Sequence, residues 1–436
     1  MVCAGLARAV EVCSFLLILA KSSTHPVRLP RGCAGTPRPK PAPIAGTNEG
    51  VDNVAELSPI LSHVPGASNE ADGHTLSVAW HYGNPLVEQS RLSPASPGLV
   101  DRWDRVALLV SGAEAHAWLN NLISQKVNAI AEGQATWGLI LDVQGRVEHY
   151  FGISALPEGL LLDVDSAHAD ALEDYLRKMV FWSQVEITRL ELAQLTILGA
   201  PFTIFGLTEA DRALSAPEHN RMYRARMLGS LPATDIWVPR EALTEHWDEL
   251  AEKATPTGAM AYEGLRILAR IPDINRDLDE RVIPHEIPTF IGRGIEGATQ
   301  MDVAEDGPTE AAVHLNKGCY RGQETVSRVH NLGKSPRVLV LLHLDGSAGR
   351  LPASGSPVLA GTKQVGRVGS SVHDADYGPI ALALVKRTVV EKLASNPAAV
   401  PGLICDGVDA AIDPDDVRAD NATRPGRAAI DALREK

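Results

Sequence analysis

From residue 334 onward the chain breaks into short apolar runs at turn-rich spacing, and this constrains its fold more than any other feature. Residues 337–344, 356–359, 364–372 and 380–385 are separated by Asp345-Gly346, Ser354-Gly355 and Tyr377-Gly378-Pro379. Strands this short and evenly spaced predict a small barrel or sandwich. The part before it reads differently. Residues 106–110 predict a buried strand, and Ser111-Gly112-Ala113-Glu114 predicts a capping box that starts a helix through Trp118, Leu119 and Leu122. Strands follow at 138–141, 147–154 and 160–164, the last two joined as a hairpin across Pro157-Glu158-Gly159. Ser166 caps a helix through Leu172, Tyr175, Leu176 and Met179, and further strands fall near 185–190 and 195–198. Helices interspersed with hairpins predict an α+β fold with mixed or antiparallel sheets covered on one face, not a doubly wound sheet.

A chain of 436 residues with 44% hydrophobic content exceeds one domain, so two or three units are expected. Its formal charge of −13 disfavours direct nucleic-acid or anionic-membrane binding, which needs a basic face. Of the five cysteines, Cys3, Cys13 and Cys33 lie near the start and only Cys319 and Cys405 in the body. No CxxC pair or zinc pattern is present, so neither a disulfide scaffold nor a metal site is expected, and a reducing cytoplasm fits best. The apolar stretch 12–20 is too short to span a membrane. Residues 28–50 are Pro-rich and polar. We expect 1–75 to be a disordered extension or one arising from a start assigned too far upstream.

Lys317-Gly318-Cys319-Tyr320-Arg321-Gly322-Gln323-Glu324 sets one cysteine between two cations, just ahead of a helix expected from Thr325 and stopped by Gly333 and Pro336. Cations and helix N-terminal N–H groups favour thiolate over thiol, which predicts a reactive Cys319 with Lys317 and Arg321 lowering its pKa. Gly318 and Gly322 leave the backbone uncrowded. The alternative is a cysteine used as a small core hydrophobe. Gly292-Arg293-Gly294-Ile295-Glu296-Gly297 fits G-x-G-x-x-G, but no adequate strand precedes it and no apolar helix follows, so a loop is expected.

The K-G-C-Y-x-G-Q-E motif resembles that of the YgfZ-type folate-binding proteins, relatives of the aminomethyltransferase (T-protein) of the glycine cleavage system. The likeness runs from His81-Tyr82-Gly83-Asn84-Pro85 to about Asp413-Pro414 and includes Arg281-Val282-Ile283-Pro284-His285-Glu286. It implies a folate-binding domain of two subdomains over 76–333 ending in the motif, a β-barrel domain over 334–414, and leaves 415–436 as a flexible tail. It also implies tetrahydrofolate or a one-carbon derivative as cofactor, and a role with iron–sulfur client enzymes or assembly factors. Gln323 and Glu324 would fix the loop, with Tyr320 as part of the motif. Against relatives whose connection into the motif is short, 288–310 is longer and could cover the site.

A folate presents a flat ring with amidine-like donors and an anionic tail, so its site needs a carboxylate and a cation. The strand carrying Thr234-Asp235-Ile236-Trp237 resembles the relatives' ring-binding strand, which makes Asp235 the ring candidate; a carboxylate on a solvent face is the other reading. Arg266 is the cation candidate, the alternative being an exposed helix arginine paired with Glu263 at i,i+3. Glu286 matches an acidic position near the pocket, with a structural role as its alternative. In aminomethyltransferases the block matching Gly145-Arg146-Val147-Glu148-His149 ends in a carboxylate; here that place falls to His149, which cannot supply the same fixed charge. A folate-dependent aminomethyltransferase and a non-catalytic folate-binding module remain the alternatives.

Overall fold

The computed structural model describes residues 56–71, 73–207, 212–292 and 311–417. The folded body starts well before residue 76. Ile60 is fully buried and the Ser58 hydroxyl accepts its N–H at 3.2 Å. The Trp103 indole N–H reaches back to the Glu56 carbonyl at 2.9 Å. The expected extension over 1–75 is therefore corrected for 56–71 and 73–75: a buried isoleucine and the Glu56 carbonyl tie this stretch to the core. Residues 1–55 lie outside the described residues.

Two sheets face each other at the centre. The six-stranded sheet has the order Ala213–Ala216, Arg221–Leu228, Leu231–Pro239, Leu192–Leu198, Gly98–Arg102, Thr255–Pro256, antiparallel except at its last pair. The five-stranded antiparallel sheet runs Ala135–Leu141, Val147–Leu156, Gly159–Asp165, Arg105–Ser111, Glu186–Leu190. Period-two alternation lets each strand put one row of side chains between the sheets. Leu109, Leu156, Leu161, Leu190, Leu192, Met222 and Trp237 form an apolar part of that seam. Trp237→Ala would cost roughly 3–5 kcal/mol there.

The other face of the five-stranded sheet is covered by helices Ala115–Leu122 and Ser166–Met179, whose Leu119, Leu172 and Leu176 pack on Phe151, Ile153 and Leu162. Both helix starts sit beside the expected caps. Asp165 accepts the Ala167 N–H at 3.0 Å, so the cap is one residue before Ser166. Ser111 ends a strand, and Glu114 instead accepts the Gln184 N–H at 2.7 Å. A capping box is a local pattern, and here a neighbouring loop supplies the partner.

The C-terminal barrel is closed, in the order Arg337–Leu344, Gly378–Lys386, Lys363–Asp374, Pro357–Ala360, Leu403–Cys405, Val408–Ile412. The α+β body and the C-terminal barrel are as the sequence predicts. Residues 415–417 are not a free tail: the Asp416 carboxylate accepts the Leu341 N–H at 2.7 Å and pairs with Arg270 at 3.3 Å, and Val417 packs on the barrel core. Residues 418–436, and 293–310 with most of the glycine loop and the expected cover, lie outside the described residues. Among the described residues no helix is long and apolar enough to cross a membrane.

Candidate functional site

Cys319 is exposed, and the loop that carries it is anchored on both sides. On the N-terminal side Lys317 is 6% exposed, and its Nζ donates to the carbonyls of Asn120, Ile123 and Gln125 at 2.5, 2.7 and 2.9 Å. These carbonyls lie at and just past the end of helix Ala115–Leu122, where unpaired C=O groups attract a cation. Burial pushes the Lys317 amine down to about 7, while three acceptors suit the protonated form with its three donors. The Lys317 carbonyl accepts from Gln323 Nε2 at 3.2 Å, so Gln323 does brace the loop. Tyr320 is buried in the core, its ring centroid 5.0 Å from Lys317 Nζ.

On the C-terminal side Gly322 is the N-cap of helix Gln323–Leu332, with φ +81°. A Cβ there would lie 2.7 Å from the Asp142 carbonyl and 2.9 Å from Gly145 Cα, so only glycine lets the loop seat on the 142–145 turn. Gly318 has open space around it, and Glu324 is an exposed acid in the helix's first turn. The expected arrangement of two cations facing the thiol is corrected: Lys317 holds carbonyls, and Arg321 Nη1 binds Glu148 Oε2 at 2.9 Å. The cysteine also precedes the helix cap by three residues, because Gly322, not Cys319, makes the turn into the helix.

Strand Val147–Leu156 is not regular at this point. Its register jumps from Ile140↔His149 to Leu141↔Val147, leaving Glu148 as the extra residue of a β-bulge. Beyond the bulge His149 is buried against the helical layer, its ring 6.2 Å from Tyr175. Burial, then the nearby His168 and Arg321, push its imidazole down to about 4, so it is neutral near pH 7. His149 thus packs toward the helical layer, close enough to Arg321 to feel its charge but making no bond to the Arg321–Glu148 pair.

Asp235 is fully buried between the sheets. It accepts from Thr196 Oγ1 at 2.8 Å, from Arg224 Nε and Nη2 at 3.1 and 2.7 Å, and from Arg226 Nε and Nη2 at 2.7 and 3.0 Å. Burial opposes its charge, but Arg226 and Arg224 outweigh it and hold the carboxyl well below the usual range. Asp235 lies on a strand, Leu231–Pro239, but the solvent-face alternative is corrected: two arginines, not solvent, face it. Arg266 forms the expected i,i+3 pair with Glu263 at 2.7 Å, but buried. It also binds Asp277 at 2.8 Å, the Ser370 hydroxyl at 2.7 Å and the Ile271 carbonyl at 2.7 Å, so it fastens the body to the barrel strand Lys363–Asp374. Glu286 is fully buried and receives both Arg337 Nε and Nη2 at 2.8 Å, a second body-to-barrel fastening. Arg266 has the Glu263 pairing of its structural alternative but not its exposure, and Glu286 is held by Arg337.

The sequence reading missed the aromatic row beside this network. Phe290, Tyr150 and Trp137 follow one another at centroid spacings of 4.7 and 5.3 Å, and the Arg224 guanidinium lies 4.8 Å from the Trp137 ring. Trp137 and Tyr150 are half-buried and share the hairpin that seats the cysteine loop. The available signal was a glycine two residues after Tyr150: Gly152 lies opposite Trp137 in the ladder, and a Cβ on it would collide with Arg224.

No family model matches the chain. It is 25% identical to an aminomethyltransferase of Chromobacterium violaceum, over 52% of this chain and 66% of that protein. It is 23% identical to a putative chloroplastic transferase of Arabidopsis thaliana, over 60% of this chain and 58% of the relative. A tRNA-modifying protein YgfZ of Yersinia enterocolitica is 25% identical, over 62% of this chain and 77% of that protein. The chain thus spans less than two thirds of the length of the first two relatives. Among solved structures, the glycine cleavage system aminomethyltransferase T of Bartonella henselae superposes with a TM-score of 0.63 at 18% identity, covering 80% of this chain and 93% of that one, a likeness of fold.

Proposed function

We infer that this chain, a YgfZ-type member of the T-protein superfamily, is a cytosolic tetrahydrofolate-binding protein that supports assembly or repair of iron–sulfur enzymes through Cys319. The observation that carries this reading is the exposed thiol on a loop anchored at both ends, by Lys317 to three carbonyls and by Gly322 and Arg321 to the 142–145 turn and Glu148. Such a thiol is open to a protein partner and held in one place. It would act by exchange: the Cys319 thiolate bonds to one sulfur of a partner's disulfide or persulfide, and the other sulfur leaves as thiolate.

For the folate, the half-buried faces of Trp137 and Tyr150 suit a flat ring, and Arg105, itself paired with Asp163 at 2.5 Å, lies near Tyr150. Asp235 would reach a ring only by exchanging one of its arginines. The aminomethyltransferase alternative requires a carboxylate beside the transferred carbon; the nearest acid in that block, Glu148, is paired with Arg321.

The test is the activity of iron–sulfur enzymes in cells lacking this gene, after restoring the wild-type chain or Cys319→Ser. Rescue by wild type alone supports both the role and the thiol's part in it. No dependence on the gene would overturn the role, and equal rescue would overturn the part given to Cys319.

A further inference from the structure

Glu148 enters the reading above only as the partner of Arg321, yet the fold makes a specific provision for it. The bulge leaves it outside the ladder, and an unpaired residue of this kind has its side chain re-aimed. Here it meets Arg321, with Nη1–Oε2 at 2.9 Å and Nη2–Oε1 at 3.5 Å. The two side chains are 35% and 37% exposed, so the pair can open. Arg321 lies two residues after Cys319, so their Cα atoms are at most about 7 Å apart and a long guanidinium stem can reach the thiol. A guanidinium engaged by a carboxylate offers little net charge to a thiolate beside it; a released one favours thiolate.

We propose that Glu148 is a positioning residue that holds Arg321 off the Cys319 thiol and thereby sets how acidic that thiol is. The other charged or titratable groups facing the pair come from each element packed on it. Asp142 faces Glu148 from the turn, and His149 faces Arg321 from the strand, with His168 behind it on helix Ser166–Met179. Within the motif, Lys317 is fixed by three carbonyls and Glu324 stands exposed at the helix start. Arg321 is the cation whose anchor is a single half-exposed carboxylate. A partner that presents a cation to Glu148 would release it and raise the thiolate fraction at the moment of docking.

This inference rests on Cys319 being a working thiol, but its test reads the thiol itself and not iron–sulfur enzyme activity. The full chain is alkylated with iodoacetamide across about pH 6 to 10, and Cys319 is followed by peptide mass spectrometry. In Glu148→Gln, which keeps the side chain's shape, the Cys319 rate at pH 7 should rise about threefold to tenfold. In Glu148→Gln combined with Arg321→Met the rate should return to the wild-type value. An unchanged rate in Glu148→Gln overturns the proposal. So does a double variant as fast as the single one, since that would be loosening of the loop without the guanidinium.

Discussion

Lys317 Nζ lies 2.7 Å from the carbonyl oxygen of Ile123, a contact between residues 194 positions apart that joins the cysteine loop to the end of helix Ala115–Leu122. Two further carbonyls complete a three-acceptor seat that matches the three N–H donors of an ammonium. Lys317→Met removes the donors and leaves buried acceptors unpaired. Urea unfolding should show a loss of roughly 2–4 kcal/mol. Lys317→Arg should recover little, because a planar fork cannot point at three converging carbonyls.

His149 makes the fold sensitive to acid. Its folded pKa, about 4, lies below the ordinary 6.5, so between those values the unfolded chain binds more protons. Stability from this group is full above pH 6.5 and is lost as pH falls toward 4, by roughly 3 kcal/mol at the limit. His149→Phe, which keeps a ring against Tyr175, should flatten that limb of a stability–pH curve measured by urea unfolding. An unchanged slope would show that the imidazole finds a proton-accepting partner on charging.

Asp101 acts in the opposite sense. It is 2% exposed on strand Gly98–Arg102, and burial outweighs the Ser58 and Trp103 hydrogen bonds to push its carboxyl up to about 7. The unfolded value is near 3.8, so the folded chain binds more protons between about 4 and 7. Stability is therefore lost as pH rises through that window, by roughly 4 kcal/mol at most. Asp101→Asn should be more stable than wild type at pH 8 and close to it at pH 4.5, as read by thermal unfolding at both values.

Much of the architecture was legible because period-two alternation and turn residues are local signals: the hairpin across 157–159 and the first four barrel strands follow from them. The last barrel strands, Leu403–Cys405 and Val408–Ile412, are three and five residues long and take their identity from the neighbours that close the barrel. The site was legible as a motif but not as geometry. Gln323 bonds to the cysteine loop while Glu324, expected to fix it too, is exposed. Lys317 and Gly322, read as a cation for the thiol and an uncrowded glycine, are what anchor it, and what Lys317 and Arg321 bind depends on a helix end and a bulge that no spacing announces. Asp235, Arg266 and Glu286 are picked out by resemblance alone; whether such a charge faces a ligand or an opposite charge is decided by the elements laid beside it.

Arg266 separates a ligand contact from a structural one. Burial works against its charge, but Glu263 and Asp277 outweigh it and hold the guanidinium well above its ordinary pKa. Arg266→Met would leave both carboxylates buried with fewer partners, at a cost of roughly 3–5 kcal/mol. Arg276 still pairs with Glu263, which places the loss toward the lower end. Tetrahydrofolate binding, measured by calorimetry per folded molecule at low temperature, should be unchanged in Arg266→Met. In Trp137→Leu it should weaken about threefold to tenfold, the worth of one aromatic stacking contact. The reverse pattern would return the folate tail to Arg266 and remove the aromatic row from the ligand site.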